Sequence, residues 1–170
     1  ISVELEGTNS SGQFGVGASL GYTHRNLFKG SELFNAKLQG SYEALSAKFS
    51  DFNKNYFEIG GETSVTFPRF LFPFLKRDIR KRFQASTQLT ASYTYQRRPE
   101  YFTRTILSSQ LSYIWNNRRN SSTRHSVDLI NVSYVHIPQL SDAFKDKLTD
   151  AAREFSFTDQ FILGSGYSLS

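Results

Sequence analysis

From residue 13 to residue 43 the chain keeps a strict period of two. Phe14, Val16, Ala18, Leu20 and Tyr22 are apolar, and Gln13, Gly15, Gly17, Ser19, Gly21 and Thr23 between them are polar or tiny. After a Gly-containing turn, Phe34, Ala36, Leu38 and Tyr42 alternate in the same way with Asn35, Lys37, Gln39, Ser41 and Glu43. A strand sends successive side chains to opposite faces, so this stretch predicts a long hairpin with one apolar and one polar face. Each half runs for about ten residues, whereas strands of soluble sheets average about five or six. A length of roughly 9–11 residues is what a tilted strand needs to cross a bilayer.

The rhythm recurs along the chain. Residues 1–7 set Val3 and Leu5 against Ser2, Glu4 and Glu6, and residues 8–12 read as a polar turn. Residues 46–55 read as a loop. In 56–67 the odd positions are apolar (Phe57, Ile59, Val65, Phe67), and Pro68, which cannot join a ladder, ends the strand. Residues 68–82 break the alternation, first aromatic and then basic. Residues 83–96 give the cleanest alternation, and 101–115 return with Leu107, Leu111, Tyr113 and Trp115 on one face. A polar, basic turn is expected over 116–124. A strand follows over 125–137, with Ile130, Val132 and Tyr134 on its apolar face and Leu129 out of phase. In 141–155 the period changes: Phe144, Leu148, Ala151 and Phe155 recur at helical spacing, with Ser141 or Asp142 as cap. Residues 158–170 form a last strand. The expected fold is all-β: an antiparallel meander of about eight strands forming a transmembrane β-barrel, with one short helix in a loop.

A length of 170 residues suits a single domain. Mean hydropathy is −0.44 and no run approaches the ~18 apolar residues of a spanning helix, which excludes a helical membrane protein. A barrel is not excluded, because only every second residue of its strands meets lipid. A soluble sandwich or lipocalin-like barrel also alternates, but its polar face meets bulk water and is rich in Lys and Glu. Here that face is mostly Gly, Ser, Thr, Gln and Asn, with scattered Lys37, Glu43, Glu62 and Arg104, as suits a barrel lumen. Gly17 and Gly40 sit in mid-strand, where turn geometry does not explain them; in a barrel such glycines permit bending or close approach inside the lumen. Ile1 and Ser170 both fall inside strand-like runs, so the chain reads as a piece of a longer protein.

Charge is unevenly placed. The connections after the second, fourth and sixth strands (25–31, 68–82 and 116–124) hold Arg25, Lys29, Arg69, Lys76, Arg77, Arg80, Lys81, Arg82, Arg118, Arg119 and Arg124, with Asp78 the only acid. In a meander these turns share one end, so one rim is basic. It reads either as ordinary solvated turns or as a contact for lipid phosphates or an acidic partner. The run Lys76, Arg77, Asp78, Ile79, Arg80, Lys81, Arg82 lacks the aromatic–basic signature of an RNA-binding domain and any zinc-finger spacing, so no nucleic-acid partner is expected. The chain has no cysteine. His24, His125 and His136 form no HxH or HExxH pattern, and no GxSxG appears. His125 has Asp128 as a local acid, but all three histidines read as structural. No metal, cofactor or catalytic residue is expected, and the chain is not read as an enzyme.

Residues 3–34, VELEGTNSSGQFGVGASLGYTHRNLFKGSELF, resemble the start of the barrel in the BamA/TamA superfamily, the bacterial surface antigen type. There a glycine-rich second strand ends in an Arg-Asn-Leu-Phe-Gly-type turn, here matched by Arg25, Asn26, Leu27, Phe28 and Gly30 with Lys29 interposed. Residues 65–74, VTFPRFLFPF, also look like the end of the fourth strand in TamA-like members. The likeness covers residues 1–75, and the rest only by strand rhythm. The chain departs from the family in carrying about half the strands and in lacking both POTRA sequence and the Arg-Gly-Tyr/Phe element of the inward-folded loop.

The resemblance implies half of a sixteen-stranded barrel in the bacterial outer membrane of a Gram-negative cell. POTRA domains and the remaining strands would lie outside this chain, and the basic rim, including Lys76, Arg77, Arg80, Lys81 and Arg82, would be periplasmic. It implies an insertase or translocase whose seam is the first strand, Ser2, Val3, Glu4, Leu5, Glu6 and Gly7. Its partners would be outer-membrane lipids, client β-barrel or surface proteins, and periplasmic or inner-membrane accessory subunits. Two other readings stay open: the barrel anchor of an outer-membrane hydrolase, and a stand-alone eight-stranded pore or adhesin.

Overall fold

A computed structural model describes residues 1–10, 13–44, 55–71, 83–99, 101–117, 120–140 and 159–170. These form one antiparallel sheet of eight strands in sequence order. The strands are β1 Ser2–Ser10, β2 Gln13–Arg25, β3 Leu33–Glu43, β4 Tyr56–Phe67, β5 Phe83–Arg98, β6 Phe102–Asn117, β7 Asn120–Leu140 and β8 Gln160–Leu169. Each pairs only with its neighbours in the chain, so turns after even-numbered strands share one end. The helix expected over 141–155 lies outside the described residues.

Register follows the alternation. Val3 opposes Leu20, Leu20 opposes Leu38 and Leu38 opposes Gly61, while Glu4 opposes Ser19 and Ser19 opposes Gln39. Further on, Val65, Leu89, Leu111 and Ile130 oppose one another in turn, as do Ser64, Thr90, Gln110 and Asn131. A shift of one residue would turn every side chain over, so this continuity is what fixes the pairing.

Three strands are longer than their apolar pattern. Thr8, Asn9 and Ser10 belong to β1, and the expected turn over 116–124 is mostly strand: β6 runs to Asn117 and β7 begins at Asn120. Polar residues pair in a ladder as readily as apolar ones, so polarity alone marked these ends wrongly. Leu129 is out of phase because β7 is bulged there. Leu111 pairs with Ile130 and Ser112 with Asp128, leaving Leu129 extra. A second bulge lies between His136 and Gln139, and it accommodates Pro138, which lacks an N–H for the ladder. Close approach does not explain Gly17 or Gly40, where an added Cβ would keep ordinary contacts of 3.7 and 3.8 Å. It does explain Gly60, where three atoms stand 3.4 Å from the Cβ position.

Among the described residues there is no dry apolar core. Tyr113 is the only buried apolar side chain, whereas Leu20, Leu38, Ile59, Leu107 and Ile130 are about half exposed or more on one continuous face. The buried residues are otherwise Glu32, Asn55, Ser64, Thr87, Thr103 and Ser112. Among the described residues no second sheet covers the apolar face, which is the reverse of a sandwich. The fold is all-β, a single antiparallel meander of the kind that builds a barrel wall.

Candidate functional site

Among the described residues the sheet is open: β1 and β8 each have one ladder, and neither pairs with the other. The direction of the free backbone groups on β1 follows from its neighbours. Ala44 N donates to Phe14 O (2.8 Å) and Asn26 N to Glu32 O (2.6 Å), so even-numbered residues of β2 bond to β3. Odd-numbered residues of β2 therefore bond to β1, where Ser2, Glu4 and Glu6 lie opposite them. Val3, Leu5 and Gly7 are left with N–H and C=O directed at the open edge. Val3 and Leu5 also carry the most exposed apolar side chains of that strand, 67% and 80%. Along β8, Arg124 and Ser170 exchange both backbone bonds, so Tyr167 and Leu169 point theirs outward in the same way.

Behind β1 the polar face is acidic. A hollow of about 220 Å³ is lined by Glu4, Glu6, Ser19, Lys37, Gln39 and Glu58 with nearby small residues. Ser19 Oγ donates to Glu4 Oε2 at 3.1 Å. Glu58 accepts from the Tyr56 hydroxyl and from Gln96 Nε2 (2.8 Å), and Arg104 Nε donates to Gln96 Oε1 at 3.0 Å. These hydrogen bonds tie β4, β5 and β6 together across the polar face and satisfy its half-buried polar groups.

The turn from Arg25 to Ser31 closes on a carboxylate. Asn26, Lys29 and Ser31 all have positive φ (70, 62 and 64°). Asn26 Oδ1 accepts from Ser31 N at 3.0 Å, the local bond that lets Asn hold a left-handed backbone. Glu32, 2% exposed, accepts from Gly30 N (2.9 Å) and Phe28 N (3.2 Å). A Cβ at Gly30 would lie 2.2 Å from Glu32 Oε1, so a side chain there would expel the carboxylate. Burial alone would raise the Glu32 carboxyl, but backbone N–H groups of Glu32, Gly30 and Phe28, with Arg69 nearby, hold it below the usual range. Sequence reading singled out Arg25, Asn26, Leu27, Phe28 and Gly30 and missed Glu32. Its signal was an acid one residue beyond a Gly-containing turn.

At the same end the apolar face carries a shelf of rings. Phe28 stacks on Phe67 (6.4 Å, 4°), and Phe70 meets Tyr113 (5.7 Å) and Trp115 (6.0 Å). Trp115 stacks on His125 (5.1 Å, 6°), whose Nδ1 lies 2.9 Å from the Tyr167 hydroxyl. Phe70 reaches across because the chain after Pro68 folds back over β5, where Thr87 Oγ1 accepts from Leu71 N (3.0 Å) and donates to Arg69 O (2.8 Å). Arg25, Lys29, Arg69 and Arg124 are exposed at this end. Lys76, Arg77, Arg80, Lys81 and Arg82 lie outside the described residues.

Among the described residues the three histidines assemble no Ser–His–acid constellation. His125 and Asp128 sit on opposite faces of β7, the one with Trp115 and the other accepting from Ser112 Oγ at 2.7 Å. His136 meets Asp159 at 2.7 Å, but the hydroxyl on that carboxylate is the Tyr134 phenol. Among the described residues no group of three acids or histidines is placed to hold a metal. Comparison with protein families, with curated proteins and with solved structures returns no match.

Proposed function

We propose that this chain is the first half of a barrel in the bacterial outer membrane, and that the barrel inserts or exports client β-proteins through a seam at β1. The supporting observation is the pairing of an exposed apolar face with a strand, β1, whose outer edge has no partner among the described residues. A client strand that adds there gains up to six main-chain hydrogen bonds, two at each of Val3, Leu5 and Gly7. Each is worth about 0.5–1.5 kcal/mol net against water, and more where water is excluded. The side chains of Val3 and Leu5 continue the apolar face, so an added strand finds its outward face already in phase. The polar wall behind, with Glu4, Glu6 and Lys37, keeps the inner side wet. This reading needs no cofactor and no reacting side chain.

The test uses the phase of β1. In the full-length protein, Leu5→Pro removes an N–H that points to the open edge and leaves the β1–β2 ladder intact, while Glu4→Pro breaks that ladder. Leu5→Pro is expected to fold normally, as a heat-modifiable band, and to lose client insertion. Glu4→Pro is expected to lose folding as well. Client insertion at the unmodified rate by Leu5→Pro would refute strand addition at this edge.

A further inference from the structure

The basic end of the sheet pairs two features that the seam does not use. On the apolar face, rings from four strands and two connections meet at one end: Phe28 with Phe67, Phe70 with Tyr113 and Trp115, and His125 with Tyr167. Just beyond them Lys29 and Arg69 are exposed, while Arg25 and Arg124, at the same end, fall on the polar face in phase with Thr23 and Asp128. The acid nearest these turns, Glu32, is 2% exposed and turned inward onto its own backbone, so it does not screen the cations from outside. Within the three connections the only acid in the sequence is Asp78, against eleven lysines and arginines.

Trp, Tyr and His rings with an apolar body and a polar tip settle where acyl chains meet headgroups. Cations directly above such a shelf stand at phosphate level, and a surface with one sign of charge selects the opposite one. An acidic protein would also match the charge. It would not call for an outward apolar shelf of rings continuous with the exposed face of Leu89, Leu107 and Ile130.

We propose that this end of the sheet is a docking surface for anionic phospholipid headgroups, with Trp115, His125 and Tyr167 at the acyl boundary and Lys29 and Arg69 on the phosphates. The inference rests on the membrane reading above and adds the headgroup class and the end that holds it.

The experiment uses the full-length protein, with every tryptophan other than Trp115 replaced by phenylalanine, in phosphatidylcholine vesicles containing a fraction of brominated phosphatidylglycerol or brominated phosphatidylcholine. Brominated phosphatidylglycerol is expected to quench Trp115 several-fold more strongly than brominated phosphatidylcholine at equal mole fraction. The ratio should fall by up to roughly fivefold for each cation removed in Lys29→Gln and Arg69→Gln, which leave in place the backbone N–H groups that Glu32 accepts from, and should collapse in high salt. Arg98→Gln, at the opposite end, should leave it unchanged. Equal quenching by the two lipids, or an equal loss with Arg98→Gln, overturns the headgroup site while leaving the membrane reading standing. No quenching by either lipid overturns both.

Discussion

Leu38→Arg separates an outward face in hydrocarbon from one in water. Leu38 is the sixth of the eleven residues of β3, and it is 60% exposed between Leu20 and Gly61. At a rise of ~3.3 Å per residue β3 spans about 36 Å along its axis, or about 26 Å across the membrane at a tilt of ~45°. That matches an apolar band about 25 Å tall and puts Leu38 near its middle. There an arginine costs ~2–4 kcal/mol, a factor of about thirty to nearly a thousand in the folding equilibrium. In water the same arginine lays its stem over Leu20, and the change falls within about 0.5 kcal/mol. Gln39→Arg, one residue on, faces the polar side and supplies the control. The assay is urea unfolding of the full-length protein and both variants in phospholipid vesicles, followed by tryptophan emission and by the heat-modifiable band. Leu38→Arg should lower the midpoint well below that of Gln39→Arg. Equal midpoints would refute the assignment of the apolar face to lipid, and the seam proposal would fall with it.

Three further outcomes follow from bonds described above. Thr87→Val leaves Leu71 N and Arg69 O without the partner that holds the chain over β5, so it should cost about 1–3 kcal/mol in the same unfolding assay and free Phe70 from Trp115. The Glu32 carboxyl sits below its ordinary range, so its contribution is present above the unfolded value and is lost as pH falls through the folded one. Acid should therefore speed amide exchange at Phe28 and Gly30, while Glu32→Gln should give fast exchange at neutral pH already. Asp159 is lowered likewise, first by the Ile137 N–H and then by His136, so the start of β8 should loosen at acid pH. Asp159→Asn should remove that pH dependence of exchange at Ile137.

The sheet was legible wherever one face had to differ from the other. Residues 56–67 were bounded correctly by a change of phase at one end and a proline at the other. Ends made only of polar residues were not legible: Asn116, Asn117 and Arg124 read as turn because nothing in a polar run tells a wet strand from a loop. The open edge of β1 was readable as a first strand. Which of its residues keep free backbone groups was not, since that depends on the hydrogen-bond phase of β2 against β3. Glu32 was hidden for a similar reason: its partners are amides that converge only once three residues adopt positive φ. The return of residues 68–71 onto β5 had a visible sign in the aromatic run, but its target, Thr87, lies sixteen residues beyond Leu71.

The extra residue at Leu129 has a consequence for how this chain tolerates change in length. Elsewhere in a regular ladder, losing one amino acid rotates everything on one side of the gap by half a turn, exchanging oil-facing and water-facing groups. At Leu129 the loss would instead let Ile130 and Asp128 become neighbours opposite Leu111 and Ser112, which are neighbours already. Opposite β8 the same excision leaves Ile130 facing Ser165 between two pairs that are already in step. A single-codon deletion that would scramble β7 in its regular stretches would heal it here, with only the local bend given up.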